Sequence, residues 1–304
     1  MILHADVRVV VNPAAGGGRS ARFLPQLRAA FTRRGVSSFV ETRCAGDEGR
    51  IVDEAAAGGV RTLVAVGGDG TWSNLADAIV KTGAAVRLAL VPAGSGNDLA
   101  KCLGIPGDDV EAWAQVALEG QPRRVDVGRV EARHFVNVLG FGLDVTVLES
   151  MARLKRLRGE WAYLYCAARS LLSCRPFRVT IATGDDGAQG SPRTLLMLAV
   201  ANGPRFGGGF RVAPQAGMSD GLLDLVAFND AGWLRRAILM QRVRRGTHEA
   251  CPEVTQERAA RFRVSFAAPP AYEVDGELCR ARSAELEVTT AAGALEILTP
   301  AGTA

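Results

Sequence analysis

The chain is short of lysine and histidine. Its 36 Lys and Arg residues include only the lysines Lys81, Lys101 and Lys155, and its 3 histidines, His4, His134 and His248, lie far apart in sequence. A P-loop nucleotide enzyme needs a lysine directly after a glycine loop, and none of these lysines is so placed. No strand presents a V-A-I-K lysine together with an H-R-D loop, which sets aside the protein kinases; no intact G-x-G-x-x-G opens a helix after a strand, which sets aside a Rossmann dehydrogenase. Ser95 sits in Ala93-Gly94-Ser95-Gly96-Asn97 rather than G-x-S-x-G and has no neighbouring histidine as base, so a serine hydrolase is disfavoured. The cysteines Cys44, Cys102, Cys166, Cys174, Cys251 and Cys279 contain no C-x-x-C pair. That argues against a zinc knuckle or redox motif, and buried free thiols are expected. The longest run without polar residues or glycine, Leu195–Ala201, falls far below the roughly 18 residues a membrane-spanning helix needs. The opening MILHADVRVV has neither a basic lead nor a long apolar core, so no secretion signal is read and the cytosol is the expected compartment.

What is present is the composition of a folded protein. The 304 residues are 48% apolar and 22% charged, enough chain for two domains with cores of their own. The net charge of +4 conceals an uneven layout. Residues 151–180 carry seven Lys/Arg against Glu160 alone, and residues 231–246 carry five arginines and no acid. Such segments suit anionic lipid headgroups or nucleic acid, although a solvated helix face has the same pattern. With no nucleic-acid motif in the chain, lipid is the favoured partner.

The first 125 residues alternate strand and helix. Val7–Val11, Ser38–Glu41, Leu63–Val66 and Leu88–Val91 read as strands. Helix-period segments carry Phe23, Leu24, Leu27 and Phe31, then run from Asp47 to Ala57 and onward from Gly70. This rhythm predicts a doubly wound parallel sheet with its strand-end loops gathered on one edge. Beyond Arg123 the text is rich in strands (VDVGRV, HFVNVLG, FRVTIA, TLLMLAVAN, LLDLVAF, RFRVSF, AELEVTT, ALEIL), interrupted by helical stretches at Asp144–Ser173 and Trp233–Arg245. The expected fold is therefore an α/β domain over residues 1–125, with a C-terminal tail of about 294–304, plus a mostly antiparallel β-sandwich-like domain over 126–293.

Gly67-Gly68-Asp69-Gly70-Thr71 follows the apolar strand LVAV and precedes a helix. Glycines there let backbone approach a phosphate, N–H groups at the helix start face the anion, and a neighbouring carboxylate can hold magnesium. A tight strand-to-helix turn with a capping aspartate accounts for this motif alone equally well. Three further glycine loops have the same character: Asn12-Pro13-Ala14-Ala15-Gly16-Gly17-Gly18, Pro92-Ala93-Gly94-Ser95-Gly96-Asn97-Asp98, and NGPRFGGGFRVAP at 202–214. The first two end strands of the same parallel sheet as GGDGT, and their convergence makes them candidates.

Taken together these segments resemble the diacylglycerol kinase catalytic fold of lipid kinases, which includes soluble bacterial lipid kinases and the sphingosine and ceramide kinases. The resemblance runs nearly end to end, through NPAAGGG, Thr42, GGDGT, PAGSGND, Val125-Asp126-Val127-Gly128, GFGLD to Asp144, NGPRFGGGFRVAP, Met218-Ser219-Asp220-Gly221-Leu222-Leu223-Asp224 and Val274-Asp275-Gly276-Glu277. It implies that Asn12, Pro13, Ala14, Ala15, Gly16, Thr42, Gly67, Gly68, Asp69, Gly70, Thr71, Ser95 and Asn97 line an ATP site, with Asp69 and Asp98 near the catalytic Mg²⁺. It also implies Glu277 as general base, in line with phosphoryl transfer, which needs positioning, charge neutralisation and a carboxylate near the attacking hydroxyl. Asp220, with the carbonyls of Gly217 and Leu222, resembles the family's structural Mg²⁺ site, and oxygen ligands suit that hard cation. Asp126 matches a polar position supporting this metal network; a strand-end aspartate reads the same in sequence. Two departures stand out. Trp72-Ser73-Asn74 follows GGDGT where bacterial relatives carry an apolar residue and Asn-Glu, and the G-S-G-N-D loop is closer to eukaryotic relatives than to the bacterial T-T-N-D form.

The resemblance implies a cleft between the two domains, diacylglycerol as default acceptor, phosphatidylglycerol or sphingoid and ceramide lipids as alternatives, and a possible homodimer. Arg153, Lys155, Arg156 and Arg158 precede Trp161, Tyr163 and Tyr165, and Trp233–Arg245 mixes apolar residues with arginines; both suit an anionic membrane surface, and both equally suit helices packed on the β domain. An NAD kinase, which shares GGDG, and a catalytically silent lipid- or nucleotide-binding regulator are the rival readings. The DGE motif argues against the first, and the retained Asp69, Asp98, Asp220 and Glu277 against the second.

Overall fold

The structure, a computed structural model, describes residues 4–44, 46–153, 160–184 and 190–302, with the side chains of 160–164 outside the description. The chain forms two compact units, Met1–Val125 with Gly293–Ala304, and Asp126–Ala292.

In the first unit the β-branched run Val7–Val11 forms β1, followed by a glycine turn and α1 (Arg19–Arg33). Then come β2 (Ser38–Glu41), α2 (Glu48–Ala57), β3 (Thr62–Gly67), α3 (Asp69–Thr82), β4 (Arg87–Pro92), α4 (Asp98–Cys102) and α5 (Val110–Glu119). β1 lies between β2 and β3, and β3 pairs with β4, all in parallel. Every residue of β3 is buried, as expected of a strand covered on both faces by crossover helices. On α1, Leu27, Ala30 and Phe31 recur at helical spacing and are fully buried. The sequence signal for α5 is Asp109, whose carboxylate accepts the N–H groups of Glu111 and Ala112 as an N-cap.

β5 (Gln121–Val130) leads into the second unit, which continues through β6 (Arg133–Phe135), β7 (Val138–Gly142), α6 (Leu143–Arg153), α7 (Glu160–Ser173), β8 (Phe177–Thr183), β9 (Arg193–Ala201), β10 (Leu223–Asn229) and α8 (Trp233–Arg245). It ends with β11 (Val254–Ala259), β12 (Arg261–Phe266), β13 (Ala271–Val274), β14 (Glu277–Arg280) and β15 (Glu285–Thr299). The pairings β7–β9, β9–β10, β10–β11, β8–β12, β12–β15, β7–β13 and β13–β14 are all antiparallel. β9 is buried on both faces. Leu198 and Val200 face a core with Phe135, Phe141 and Phe262, while Met197, Ala199 and Ala201 face a second core with Phe228 and Val243. The end of β15 belongs to the first unit, where Ile297 and Leu298 pair in parallel with Leu88 and Ala89 of β4.

The expected fold class holds: a parallel α/β unit and a mostly antiparallel β unit. The helical stretch read over Asp144–Ser173 is two helices, α6 and α7, and Lys155, Arg156 and Arg158 lie outside the described residues. The strands read as AELEVTT and ALEIL are one 15-residue strand, β15. Cys166, Cys174 and Cys251 are buried free thiols as expected, whereas Cys44 is exposed and Cys102 and Cys279 are half-buried. No helix among the described residues is long and apolar enough to cross a membrane.

Candidate active site

Three loops at the carboxyl ends of β1, β3 and β4 pack backbone against backbone. Asn12, at the end of β1, donates its side-chain amide to Thr71 Oγ1 at 3.0 Å, while its Oδ1 accepts the Ala14 N–H at 3.1 Å. The turn at Ala15–Gly17 contains Gly16 at φ +60°, where an added Cβ would lie 2.2 Å from the Ala93 carbonyl oxygen. Gly68 and Gly94 face each other so closely that a Cβ on Gly94 would lie 2.5 Å from Gly68 Cα. The β4 loop is closed by Asn97 at φ +55°, whose side chain accepts from Gly94 N and donates to Gly94 O, both at 2.9 Å. Gly94→Ala should therefore separate the two loops and lower the melting temperature. Thermal unfolding of the variant checks this, and wild-type stability would contradict it.

Asp69 opens α3, and its Oδ1 accepts the Leu99 N–H at 3.1 Å, which ties it to the start of α4 beside Asp98. Asp98 is buried, with Lys101 Nζ 3.7 Å away. Thus Asn12, Gly16, Gly68, Asp69, Gly94, Asn97 and Asp98 share one sheet edge. Ser95 is exposed on the same loop, and Thr42 directly follows β2 with its N–H on Val11 O at 2.9 Å. Trp72, the departure after GGDGT, is a core residue: fully buried, it donates its indole N–H to Ala65 O at 3.0 Å.

The second unit carries the other predicted carboxylates. Glu277 begins β14 after a two-residue turn, Asp275 (φ +47°) and Gly276 (φ +88°), the positive pair of a type I′ hairpin. Its side chain is 44% exposed and accepts from Arg133 Nη2 at 2.9 Å. Asp275 is buried and accepts the backbone N–H groups of Val136, Asn137 and Val138 at 2.8, 2.9 and 2.9 Å. Asp126 accepts the Gly221 N–H at 2.7 Å and donates its own N–H to Met218 O at 2.7 Å, so it pins the loop that carries Asp220. Gly217 leaves room for Asp220, whose Oδ2 lies 2.6 Å from where a Cβ would stand. Arg258 is paired with both Asp220 and Asp224, and burial raises the Asp224 carboxyl above its ordinary pKa despite this arginine. An Asp220 carboxylate with the Gly217 and Leu222 carbonyls is an all-oxygen donor set fitting Mg²⁺, with Arg258 supplying the countercharge a cation would bring.

The glycine loop at 202–214 is also built around two phenylalanines. Its three central glycines all have positive φ and turn a short bridge between Phe206 and Phe210, whose rings line an apolar cavity. Leu143, Phe228, Leu239 and Val243 complete much of that lining, and Asp144 is its acidic residue. Arg133, Arg258 and Glu273 escaped the sequence reading. Nothing local marks them, since each meets a charged neighbour on an element distant in sequence.

Residues 6–130 match the family described as "Diacylglycerol kinase catalytic domain", and residues 137–299 the "YegS C-terminal NAD kinase beta sandwich-like domain". The chain is 28% identical over 272 residues to a protein of Bacillus subtilis named "Diacylglycerol kinase", covering 89% of each chain. It is 33% identical over 268 residues to a Stenotrophomonas maltophilia protein named "Probable lipid kinase YegS-like", covering 84% of each. A crystal structure of a diacylglycerol kinase from Bacillus anthracis shares the fold, with a TM-score of 0.74 at 20% identity, over 99% of this chain and 98% of that one. With both family regions matched in order and the glycine loops assembled on one sheet edge, the chain belongs to the diacylglycerol kinase catalytic-domain family, a family of lipid kinases.

Proposed function

We propose that the protein transfers the γ-phosphoryl group of ATP to the hydroxyl of a membrane lipid, with diacylglycerol as acceptor and phosphatidic acid as product. The observation that carries the lipid part is the apolar cavity of the second unit, formed by α6, α7, α8, β9, β10 and the Phe206–Phe210 bridge. A cofactor-sized polar acceptor has no use for such a lining, whereas an acyl chain gains roughly 0.8 kcal/mol per buried methylene. The lipid oxygen forms the new bond to phosphorus as the bond to the ADP oxygen breaks, and the hydroxyl proton passes to Glu277. Asn12–Gly16, Thr42, Gly67–Thr71, Ser95 and Asn97 hold the nucleotide. Asp69 and Asp98 would hold Mg²⁺ with the phosphates, and Asp220 with the Gly217 and Leu222 carbonyls a structural Mg²⁺; the ion supplies neutralisation of phosphate charge.

The membrane reading has support beside the same cavity. Tyr165 and Leu172 of α7, with Trp233, Leu234 and Ile238 of α8, are exposed large apolar side chains, and α8 carries five arginines. A helix with exposed tryptophan and leucine beside arginines suits an anionic interface. The side chains of Trp161 and Tyr163 lie outside the described residues. Replacing Trp233 and Leu234 together by serine should lower flotation with phosphatidylglycerol-containing vesicles. Flotation that ignores both the variant and headgroup charge would refute the membrane contact.

The test of function is transfer of labelled phosphate from ATP, with Mg²⁺, to a panel of lipids in mixed micelles and in parallel to NAD. Label in phosphatidic acid supports the proposal, and label in phosphatidylglycerol, ceramide or sphingoid products renames the acceptor. Label in NADP, or ATP binding without transfer to any acceptor, overturns it.

A further inference from the structure

Asp144 and Glu273 are buried carboxyl groups at one place in the second unit. Asp144 Oδ2 and Glu273 Oε1 lie 2.6 and 3.0 Å from the point where a Cβ on Gly140 would stand, so Gly140 leaves the space both occupy. Both oxygens are inaccessible to solvent and make no hydrogen bond among the described residues. Glu273 Oε2, by contrast, accepts the Gly276 N–H at 2.8 Å.

Two adjacent buried carboxyl groups raise each other's proton affinity, because burial and the neighbouring negative charge both disfavour the ionised form. Burial pushes the Asp144 carboxyl up to about 8, and burial together with the charge of Asp144 pushes Glu273 well above the carboxylate range. The surroundings act the same way. The Asp275 carboxylate adds to the rise at Glu273. From the elements packed on α6, Cys174 after α7 feels Asp144 and Cys279 of β14 feels Glu273. β7 carries no charged residue, Arg193 of β9 is paired with Glu257, and Arg133 with Glu277. Arg236 of α8 lines the same cavity but gives its guanidinium to Leu171 O, Cys174 O and Asp230.

We infer that Asp144 and Glu273 act as one carboxyl pair sharing a proton, and that Glu273 is thereby a positioning residue for the Asp275–Gly276 turn that presents Glu277. The pair joins the wall of the apolar cavity, through Asp144, to the Gly276 N–H, through Glu273. Loss of the shared proton at alkaline pH places two anions together and loosens the turn. The positioning half of the inference rests on the proposed function; the shared proton does not.

Two measurements on the full chain separate these halves. The folded pair holds a proton that the unfolded chain has released above about pH 4, so the wild-type melting temperature should fall as pH rises toward the Asp144 value of about 8. Asp144→Asn and Glu273→Gln should each flatten that fall, and an undiminished slope in both variants overturns the shared proton. Glutamine can still accept from Gly276 and donate to Asp144, so Glu273→Gln should keep kcat near wild type at neutral pH and extend the alkaline limb of the kcat profile upward. Glu273→Ala should lose about a hundredfold in kcat, the order expected of a misplaced catalytic group, with KM for ATP unchanged. A Gln variant as impaired as the Ala variant, or an alkaline limb unmoved by it, overturns the positioning role. A wild-type protein inactive on every lipid removes that role with the proposed function, while the thermal measurement still decides the pair.

Discussion

Glu277→Ala should lower lipid phosphorylation by about 10²–10⁴-fold, the span usually lost with a general base, and leave the fold and ATP affinity intact. The separation follows from its position. Glu277 is 44% exposed at the start of β14, and it forms an ion pair with Arg133 at 2.9 Å. A pair this open to water contributes little to stability, so the loss should fall on kcat rather than on melting temperature. The loops proposed to hold the nucleotide belong to the first unit, which the substitution does not touch. Glu277→Gln, which keeps the size and a hydrogen bond to Arg133 but cannot take a proton, should be nearly as inactive as alanine. Steady-state kinetics with a diacylglycerol micelle, beside ATP titration and thermal unfolding, read all three quantities. A Gln variant with wild-type kcat would remove Glu277 from the base role while leaving the family assignment untouched.

Asp275→Ala should have the opposite signature, a large loss of stability. Its carboxylate accepts three backbone N–H groups, from Val136, Asn137 and Val138, all in buried hydrogen bonds. An alanine leaves these donors without an acceptor in a site too enclosed for easy hydration. At 1–3 kcal/mol for each unsatisfied buried group, the expected cost is about 3–5 kcal/mol, allowing for relaxation. That is a large share of the roughly 5–15 kcal/mol that holds a domain folded. Asp275→Asn should cost less, since its amide oxygen still accepts from Asn137 and Val138 while its NH₂ meets the Val136 N–H. Alanine also removes an acidic residue able to tolerate φ +47° by local hydrogen bonding. Urea unfolding of both variants checks the ordering Asp275, Asn, Ala. Equal stability of all three would mean that the turn does not depend on this carboxylate.

Local pattern carried far where one element suffices. The apolar run Leu63–Val66, the glycines following it, and the parallel order implied by alternating strands and helices place Asn12, Asp69 and Asp98 on one edge from sequence alone. Trp72 was harder to place: an aromatic after GGDGT reads as a displaced polar position, whereas its burial and its bond to Ala65 make it core. In NGPRFGGGFRVAP the glycine content reports backbone freedom and not what that freedom serves. Here the freedom brings Phe206 and Phe210 into an apolar lining.

The sequence by itself determined the two fold types, the order of the elements and the family, because periodicity, glycine turns and motif order are local properties of the chain. Only the tertiary structure decided which side chains meet. Arg133 reaches Glu277, Arg258 reaches Asp220, and Glu273 reaches the space beside Gly140 shared with Asp144, each across a strand pairing or helix packing that joins distant segments. Charge state, burial and the shape of the apolar cavity depend on such meetings, since a carboxyl group's proton affinity is set by the neighbours and the water that folding brings or removes.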